Sequence, residues 1–316
     1  MIYTVTLNPA VDRELTVPQI TFDRVLRASA WQVDFGGKGF NVSRMLLSLG
    51  AQSVALAFAG GKSGELLHDG LRELGIGVDF IWVEGETRTN VSVVTEQHDR
   101  YIKVNEPGPT TGAAAQAALL DRVRDLARAG DWWVLAGSLP PGVAPDIYAQ
   151  VIATVQGAGA RAVLDSSGAA LQAGCAAGPY LIKPNDVELG QLTGMPTATL
   201  AETVAAARAL ADMHLPRAII SMGKDGALAV DGEQSWLLAP PPIAERNPIG
   251  AGDSLVAGLV YALDEGRSLA EAARWGVACG AATASLGGTA VGSAGLVHSL
   301  LGQVQMRALE PELAEK

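Results

Sequence analysis

The chain has 316 residues, of which 48% are hydrophobic and 18% charged, and its formal net charge at pH 7 is −10. This length and composition suit one large α/β domain with a substantial core, and they exclude a disordered chain. The acidic balance, without a cluster of Lys or Arg, argues against duplex nucleic acid and anionic membranes as partners.

Cysteine and histidine are sparse. Cys175 and Cys279 occur in unrelated contexts and four histidines are scattered singly, which indicates a reducing compartment and neither a disulfide framework nor a zinc site. No segment has 18 unbroken apolar residues, and the N-terminus has no basic region before an apolar run. We therefore expect no membrane span, no signal peptide and a cytoplasmic location.

The first quarter of the chain predicts a strand followed by helix and strand in alternation. The predicted elements are a strand at 2–7, an irregular segment with β-prone pieces at 14–35, a helix from about 42 to 49, a strand at 53–58 and a helix at 63–74. Gly61-Lys62-Ser63 resembles the end of a P-loop, but that motif needs a glycine where Leu56 stands. The segment is therefore not a P-loop.

Residues 78–104 have a period-two pattern. Three strands are predicted at 78–83, 90–96 and 100–104, and Gly85 and His98-Asp99 are expected in turns. Because no helix interrupts these strands, we expect them to be antiparallel and to form, with the 14–35 segment, a small sheet beside the main one. The predicted lid comprises about 12–35 and 86–106, inserted in a single domain of 1–316.

The rest of the chain returns to alternating strands and helices. Strands are predicted at 132–136, 161–165, 180–182 and 218–221, helices at 113–129, 145–155, 199–212 and 268–285, and a polar, loose tail after Gln305. This alternation predicts an α/β fold with a doubly wound, mostly parallel sheet flanked by helices.

The segment with the strongest chemical signal is 247–254, Asn-Pro-Ile-Gly-Ala-Gly-Asp-Ser, followed by an apolar run. It predicts a helix N-terminus whose free amides and dipole favour an anion such as phosphate. Asp253, in that first turn, would then be within reach of a hydroxyl that attacks the phosphate. The alternative is that Asp253 only caps the helix.

A second pair, Asn185 and Glu188, stands three residues apart at a strand-to-helix junction. An amide oxygen and a carboxylate suit Mg²⁺ held through water. The same spacing also fits a capping box, with Asn185 as the N-cap residue and Glu188 three residues later.

Five segments in the same order resemble the ribokinase-like (PfkB) sugar kinases, over almost the whole chain. They are 8–12 (Asn-Pro-Ala-Val-Asp), 36–42 (Gly-Gly-Lys-Gly-Phe-Asn-Val), 137–140 (Gly-Ser-Leu-Pro), 183–185 (Lys-Pro-Asn) with Glu188, and 250–253 (Gly-Ala-Gly-Asp). The resemblance implies an ATP- and Mg²⁺-dependent phosphotransferase in which Asp253 is the general base and the amides of Gly250, Ala251 and Gly252 hold the transferred phosphoryl group.

The resemblance also assigns the two substrates to opposite sides of Asp253. The implied sugar ligands are Asp12, Gly37, Lys38, Asn41, Arg88, Asn90, Lys103 and Ser138. The implied nucleotide ligands are Lys183, Asn185, Ser221, Gly223 and Gly226, with Asn185 and Glu188 at the metal. Turn formation and capping are the alternatives for Asp12 and Asn41, and ordinary turn chemistry for the 221–226 loop.

Three of the implied sugar ligands, Lys38, Arg88 and Lys103, are cationic. A phosphate dianion needs such charge-assisted bonds, whereas an unphosphorylated sugar does not. Any one of them alone would be explained as a solvated surface residue. Together they predict a sugar phosphate as substrate.

Within the phosphosugar branch, residues 1–9, 87–91 and 103–108 look most like the 1-phosphofructokinases. The expected reaction is phosphorylation of fructose 1-phosphate to fructose 1,6-bisphosphate. Tagatose 6-phosphate and fructose 6-phosphate remain alternative substrates, although tagatose-6-phosphate kinases tend to have Cys in place of Asn90. A non-catalytic sugar-phosphate-binding regulator is the remaining alternative. We also expect a homodimer formed through the lid, with Ile81, Val83, Val91 and Val93 as candidate interface residues.

Overall fold

Alternating strands and helices form two sheets in the computed structural model, which describes residues 1–97 and 100–309. The strands are β1 (Ile2–Thr6), β2 (Ala10–Val17), β3 (Ala30–Gly36), β4 (Ser53–Ala59), β5 (Gly77–Trp82), β6 (Arg88–Thr95), β7 (Tyr101–Asn105), β8 (Trp132–Ala136), β9 (Arg161–Asp165), β10 (Leu181–Ile182), β11 (Arg217–Ser221), β12 (Ala227–Asp231), β13 (Gln234–Ala239) and β14 (Gln305–Ala308). The helices are α1 (Lys38–Ser48), α2 (Gly61–Glu73), α3 (Ala113–Leu126), α4 (Ile147–Gly157), α5 (Gly168–Ala176), α6 (Asp186–Thr193), α7 (Leu200–Ala209), α8 (Ala251–Asp264), α9 (Leu269–Ala284) and α10 (Ala294–Leu301).

The main sheet has ten strands in the order β14-β13-β12-β11-β10-β9-β8-β1-β4-β5. From β5 to β11 every neighbouring pair is parallel, and β12, β13 and β14 add an antiparallel edge. The prediction of a mostly parallel sheet flanked by helices is confirmed. Its carboxyl-terminal edge, where ligands bind in such sheets, carries the residues described below.

Helices cover both faces of the main sheet, as the alternation within β8 illustrates. Trp132 and Val134 belong to one hydrophobic cluster with residues of α1, α8 and α9, whereas Trp133 and Leu135 belong to another with residues of α3 to α7. Burial on both sides explains why the strand is apolar at every position.

The small sheet has the order β3-β2-β6-β7, with β2 and β6 parallel. Asp12 is opposite Asn90, and Lys103 is opposite Ser92. Since side chains alternate along a strand, Asp12, Asn90 and Lys103 lie on the same face of this sheet. The opposite face is called the outer face here, and its central row is Trp31, Leu15, Val93 and Ile102.

Two parts of the prediction for the small sheet are wrong. Residues 77–82 form β5, which pairs in parallel with β4 in the main sheet because α2 links the two strands as a βαβ crossover. Ile81 and Val83 therefore pack on the main core and do not belong to the outer face. The 14–35 segment is also more regular than expected, since it contains the second half of β2 and all but the last residue of β3.

The chain's end also differs from the prediction. Residues 305–308, predicted to be loose, form β14 and pair with β13, placing Trp236 opposite Ala308. Helices α5 and α10 had not been predicted. The turn expected at His98-Asp99 and the last residues of the tail, 310–316, fall outside the described residues. Within 1–97 and 100–309, no helix has both the length and the apolarity needed to cross a bilayer.

Candidate active site

The first turn of α8 presents free amides at the carboxyl edge of the sheet. Gly250 is its N-cap residue, with φ of 79°, a left-handed conformation that a glycine adopts without a steric penalty. The amide of Ala251 already donates to the carbonyl of Pro248 at 3.1 Å. Within the described residues, the amides of Gly250, Gly252 and Asp253 donate no hydrogen bond. The anion-binding role predicted for residues 250–252 therefore rests on Gly250 and Gly252, with the amide of Asp253 as an addition.

Asp253 is 7% exposed, and its carboxylate oxygen Oδ2 accepts a 2.8 Å hydrogen bond from Nδ2 of Asn41. Burial and the nearby Asp165 carboxylate raise the pKa of Asp253 to about 6, against the opposing effects of Asn41, Lys38 and Lys183. A carboxylate with a pKa this close to neutral accepts a proton more readily than an ordinary aspartate and is still ionised at pH 7.

Two lysines converge on one buried carboxylate beside Asp253. Asp165, at the end of β9, is 1% exposed, and its Oδ1 lies 2.9 Å from Nζ of Lys38 and 3.4 Å from Nζ of Lys183. Burial lowers the pKa of Lys38, but Asp165 and Asp253 outweigh it, so the pKa is raised and the ammonium stays charged. Four charged groups thus meet where the predicted sugar side and nucleotide side join.

The larger cavity, of about 670 Å³, is lined by Gly252, the residue that precedes Asp253. Ser221, Gly223 and Gly226, the predicted nucleotide loop, line it together with Ala251 and Gly252. Its other walls are mainly apolar or small and had not been predicted; they include Pro240, Pro241, Ile243, Val277 and Ala281. A largely apolar cavity that includes Gly252, whose amide is free, in its wall fits a flat base with a phosphate chain.

Asn185 and Glu188 form the capping box that had been the alternative to a metal site. Oδ1 of Asn185 accepts from the amide of Glu188 at 2.7 Å, and Oε2 of Glu188 accepts from the amide of Asn185 at 2.9 Å. Across residues 1–97 and 100–309, no group of three or more His, Cys, Asp or Glu side chains is placed to hold a metal ion. The second carboxylate oxygen of Glu188 makes no hydrogen bond within that part of the chain and is suited to contact Mg²⁺ through water.

The sugar side is formed by the small sheet and α1. Nδ2 of Asn90 donates a 2.7 Å hydrogen bond to Oδ1 of Asp12. Burial raises the pKa of Asp12, although the bond from Asn90 opposes this. The smaller cavity, of about 20 Å³, is lined by Asp12, Asn41 and Gly250, and also by Arg44, which had not been predicted.

Arg88 lies at the base of the small sheet rather than free in the cleft. Its Nε, Nη1 and Nη2 donate to the carbonyls of Pro9 at 3.4 Å, Glu106 at 3.2 Å and Asn8 at 2.9 Å. Lys103 on β7 is exposed, as is Ser138 just after β8. Of the three predicted cations, Lys38 acts on Asp253, whereas the charges of Arg88 and Lys103 act on Asp12 and oppose the rise in its pKa.

The structure brings Lys38, Asn41, Lys183 and Asp253 together and places Asp12 and Asn90 on the neighbouring sheet. Gly37 caps α1 directly before Lys38. Sequence reasoning missed Asp165, although its position at the carboxyl end of a predicted parallel strand was a usable signal. It also missed Arg44, one turn after Asn41 on α1, for which helical spacing was the signal.

Comparison with known proteins shows which family the chain resembles. A family model described as pfkB family carbohydrate kinase matches residues 5–294. The 1-phosphofructokinase of Xanthomonas campestris is 41% identical over 276 residues, which cover 86% of this chain and 87% of the relative. The ATP-dependent 6-phosphofructokinase isozyme 2 of Escherichia coli is 35% identical over 290 residues, 91% of this chain and 94% of the relative. A solved structure described as the tetrameric inhibited form of Escherichia coli phosphofructokinase-2 superposes with a TM-score of 0.89 at 34% identity, covering 95% and 98% of the two chains.

Proposed function

Since the chain belongs to the pfkB family of carbohydrate kinases, we propose that it transfers the γ-phosphoryl group of ATP to the C6 hydroxyl of fructose 1-phosphate. The products are fructose 1,6-bisphosphate and ADP. Membership of the family makes the protein a carbohydrate phosphotransferase, and the relatives named 1-phosphofructokinase and 6-phosphofructokinase support a sugar phosphate as its acceptor. The proposal concerns the particular sugar and the residues that carry the reaction.

The observation that carries the mechanism is that the first turn of α8 borders both cavities. Gly250 lines the smaller cavity together with Asn41, which donates a hydrogen bond to Asp253, and Gly252, the residue before Asp253, lines the larger one. A sugar hydroxyl held beside Asn41 would therefore face both the carboxylate and the end of a phosphate chain. Asp253 takes the hydroxyl proton as the oxygen attacks phosphorus, and the free amides stabilise the charge on the transferred group.

ATP would occupy the larger cavity, with its base against the apolar walls and its phosphates towards Gly252. Lys183 supports this placement because its ammonium would lie 3.9 Å from a β-carbon built on Gly252. When bound, Mg²⁺ neutralises the charge of the ATP phosphates and orients them. Glu188 would hold it through water, while Asn185 keeps Glu188 in place through the capping box.

On the sugar side, Asp12 and Asn41 would bind hydroxyls and Arg88 would bind the substrate phosphate, while Lys38, whose charge acts on Asp253, would lie at the end of the sugar that carries the acceptor hydroxyl. Each guanidinium has five N–H donors, and the three bonds of Arg88 to carbonyls leave two for a ligand. Lys103 shares the face of Asp12 and Asn90, so closure of the small sheet over the sugar would bring this third cation to the site and exclude water.

Fructose 1-phosphate is favoured by the relatives, because the relative with 41% identity is named 1-phosphofructokinase. The test is a substrate panel: purified protein with Mg·ATP is offered fructose 1-phosphate, fructose 6-phosphate and tagatose 6-phosphate. We expect the highest kcat/KM with fructose 1-phosphate. A higher value with either 6-phosphate would overturn the choice of sugar, and turnover of none of the three would favour a binding protein without catalysis.

Fructose 6-phosphate is the second candidate. It is supported by the 35% identity to an enzyme named 6-phosphofructokinase, only slightly below that of the first group. In fructose 1-phosphate the phosphate is on C1 and the acceptor hydroxyl on C6, and in fructose 6-phosphate these positions are exchanged. Each sugar therefore has a phosphate at one end and an acceptor hydroxyl at the other, so the same base and cations would serve either. Tagatose 6-phosphate is less favoured because Asn90 stands where its kinases tend to have cysteine.

We further propose a homodimer formed through the outer face. Trp31 is 71% exposed and Ile102 is 38% exposed in the central row of that face, and Val104 beside them is 60% exposed. An apolar strip of this kind on a β-sheet is typical of a self-complementary interface. The tetrameric Escherichia coli relative indicates that self-association occurs in the family.

A cytoplasmic location fits Cys175 and Cys279, which are both free and buried.

A further inference from the structure

Asp165 is a buried charge to which the proposed reaction assigns no role. One oxygen, Oδ1, faces both Lys38 Nζ at 2.9 Å and Lys183 Nζ at 3.4 Å. Lys38 comes from the glycine-rich segment on the sugar side, and Lys183 follows β10 on the nucleotide side. A single carboxylate therefore connects the cations of the two substrate sites.

The formal charges of this cluster balance one another. Asp165 and Asp253 contribute two negative charges, and Lys38 and Lys183 two positive ones. The lysines nevertheless pair with Asp165 and not with Asp253, whose only hydrogen bond to a side chain within the described residues comes from Asn41. This division leaves one oxygen of Asp253 free to accept a proton from a sugar hydroxyl.

We propose that Asp165 is a positioning residue that holds both ammonium groups beside the path of the phosphoryl group and away from the general base. Lys183 reaches to within 3.9 Å of the β-carbon position on Gly252, next to the amides that would receive the phosphoryl group. Apart from Asp165, Asp253 is the carboxylate that acts most strongly on Lys38, and the charge of Lys183 also acts on Asp253. An ion pair there would make the base weaker and misplace the cations.

The inference rests on the proposed function, and it predicts opposite changes for two variants. The charged groups around Asp253 are Asp165, which raises its pKa, and Lys38 and Lys183, which lower it. Asp165→Asn removes the like charge and frees the lysines, so the acid limb of the kcat/KM profile should move down by at least about half a pH unit. Lys38→Met removes an opposite charge, so the limb should move up.

The experiment measures pH profiles of the wild type and both variants, using whichever of the three sugar phosphates the wild type turns over best. For Asp165→Asn we also expect kcat to fall about tenfold or more, because the cations are misplaced. Asp165→Glu, which keeps the charge, should restore much of kcat. Asp79→Asn is the matched control, since it removes an aspartate from a surface ion pair with Arg122 and should leave the profile unchanged.

The inference would be overturned if the acid limb of the kcat/KM profile of Asp165→Asn lay at the same pH as that of the wild type and its kcat were within twofold of the wild-type value. The same holds if the limb shifts in the same direction in both variants, because that indicates general damage to the fold. Should the wild type turn over no sugar phosphate, the proposed function fails, and the inference is then tested by NMR titration. The carboxyl carbon of Asp253, assigned from its loss in Asp253→Asn, should titrate at lower pH in Asp165→Asn and at higher pH in Lys38→Met. If Asp165→Asn does not fold, the shift in Lys38→Met decides alone.

Discussion

The side-chain amide of Asn41 donates a 2.8 Å hydrogen bond to the carboxylate of Asp253, although 212 residues separate them in the chain. Asn41 lies on α1, directly after the glycine-rich segment, and Asp253 lies in the first turn of α8. Both helices contribute to the same hydrophobic cluster against the main sheet, so packing of the core fixes the distance between the two side chains. The relationship joins the predicted sugar-binding segment to the predicted general base.

Replacing Asp253 with Asn should remove the base while keeping the shape of the site. We expect kcat with the best sugar phosphate to fall by roughly 10²- to 10⁴-fold, the usual contribution of a general base. KM for ATP should change little, because the free amides of the turn remain. Steady-state kinetics of the purified variant provide the measurement. Full activity in the Asn variant would mean that another group accepts the proton.

The activity of the wild type should fall as the pH drops below about 6. Only the ionised form of Asp253 accepts a proton, and its pKa is raised to about 6, so the acid limb of kcat/KM reports this group. Asn41→Ala removes the hydrogen bond that favours the ionised form, and the limb should then move to higher pH. A buffer series from pH 4.5 to 8 checks both profiles. An unchanged limb in Asn41→Ala would show that a different group titrates.

Because its pKa is raised, ionised Asp253 destabilises the folded protein at neutral pH. Its folded pKa of about 6 exceeds the ordinary value of 3.8, so the protonated form is favoured by folding and stability is lost as the pH rises through 6. Asp253→Asn should therefore be more stable than the wild type at pH 7.5, by at most roughly 3 kcal/mol. At pH 4 the two should unfold alike. Urea unfolding at both pH values tests this, and an equal difference at the two would exclude titration as the cause.

Much of this architecture could be predicted because it depends on local pattern. Composition and spacing are enough to predict the apolar strand Trp132–Ala136 and the glycine-rich start of α8. The placement of β5 could not be predicted in this way, because the pattern of a short alternating strand is compatible with either sheet. The sheet to which β5 belongs is determined by α2, which connects it to β4 as a parallel neighbour. The strand end occupied by Asp165 was a usable signal, but its pairing with Lys38 and Lys183 could not be predicted, because no spacing in the sequence brings these distant segments together.

Arg88 should contribute to sugar-phosphate binding and to the attachment of the small sheet. For Arg88→Ala we expect a loss of about 1.5–3 kcal/mol in binding of the sugar phosphate, the range for hydrogen bonds to charged groups. The carbonyls of Asn8, Pro9 and Glu106 also lose their donor, so Tm should fall. Calorimetric titration with sugar phosphate and with ATP separates the two sites. Arg122→Ala, which removes an arginine from a surface ion pair, is the control, and a loss of ATP affinity instead would place Arg88 at the nucleotide.

The outer face of the small sheet should hold two copies of the chain together. Trp31, in the central row of that face, is 71% exposed, and burying it against a second copy would remove its large apolar surface from water. Trp31→Asp places a charge in the interface, so we expect a dimer of wild-type chains and a monomer of the variant by light scattering at micromolar concentration. Trp82→Asp is the matched control, because Trp82 is also exposed but lies on β5 at the edge of the main sheet. A monomeric wild type would remove the proposal, and dissociation by Trp82→Asp alone would move the interface to that edge.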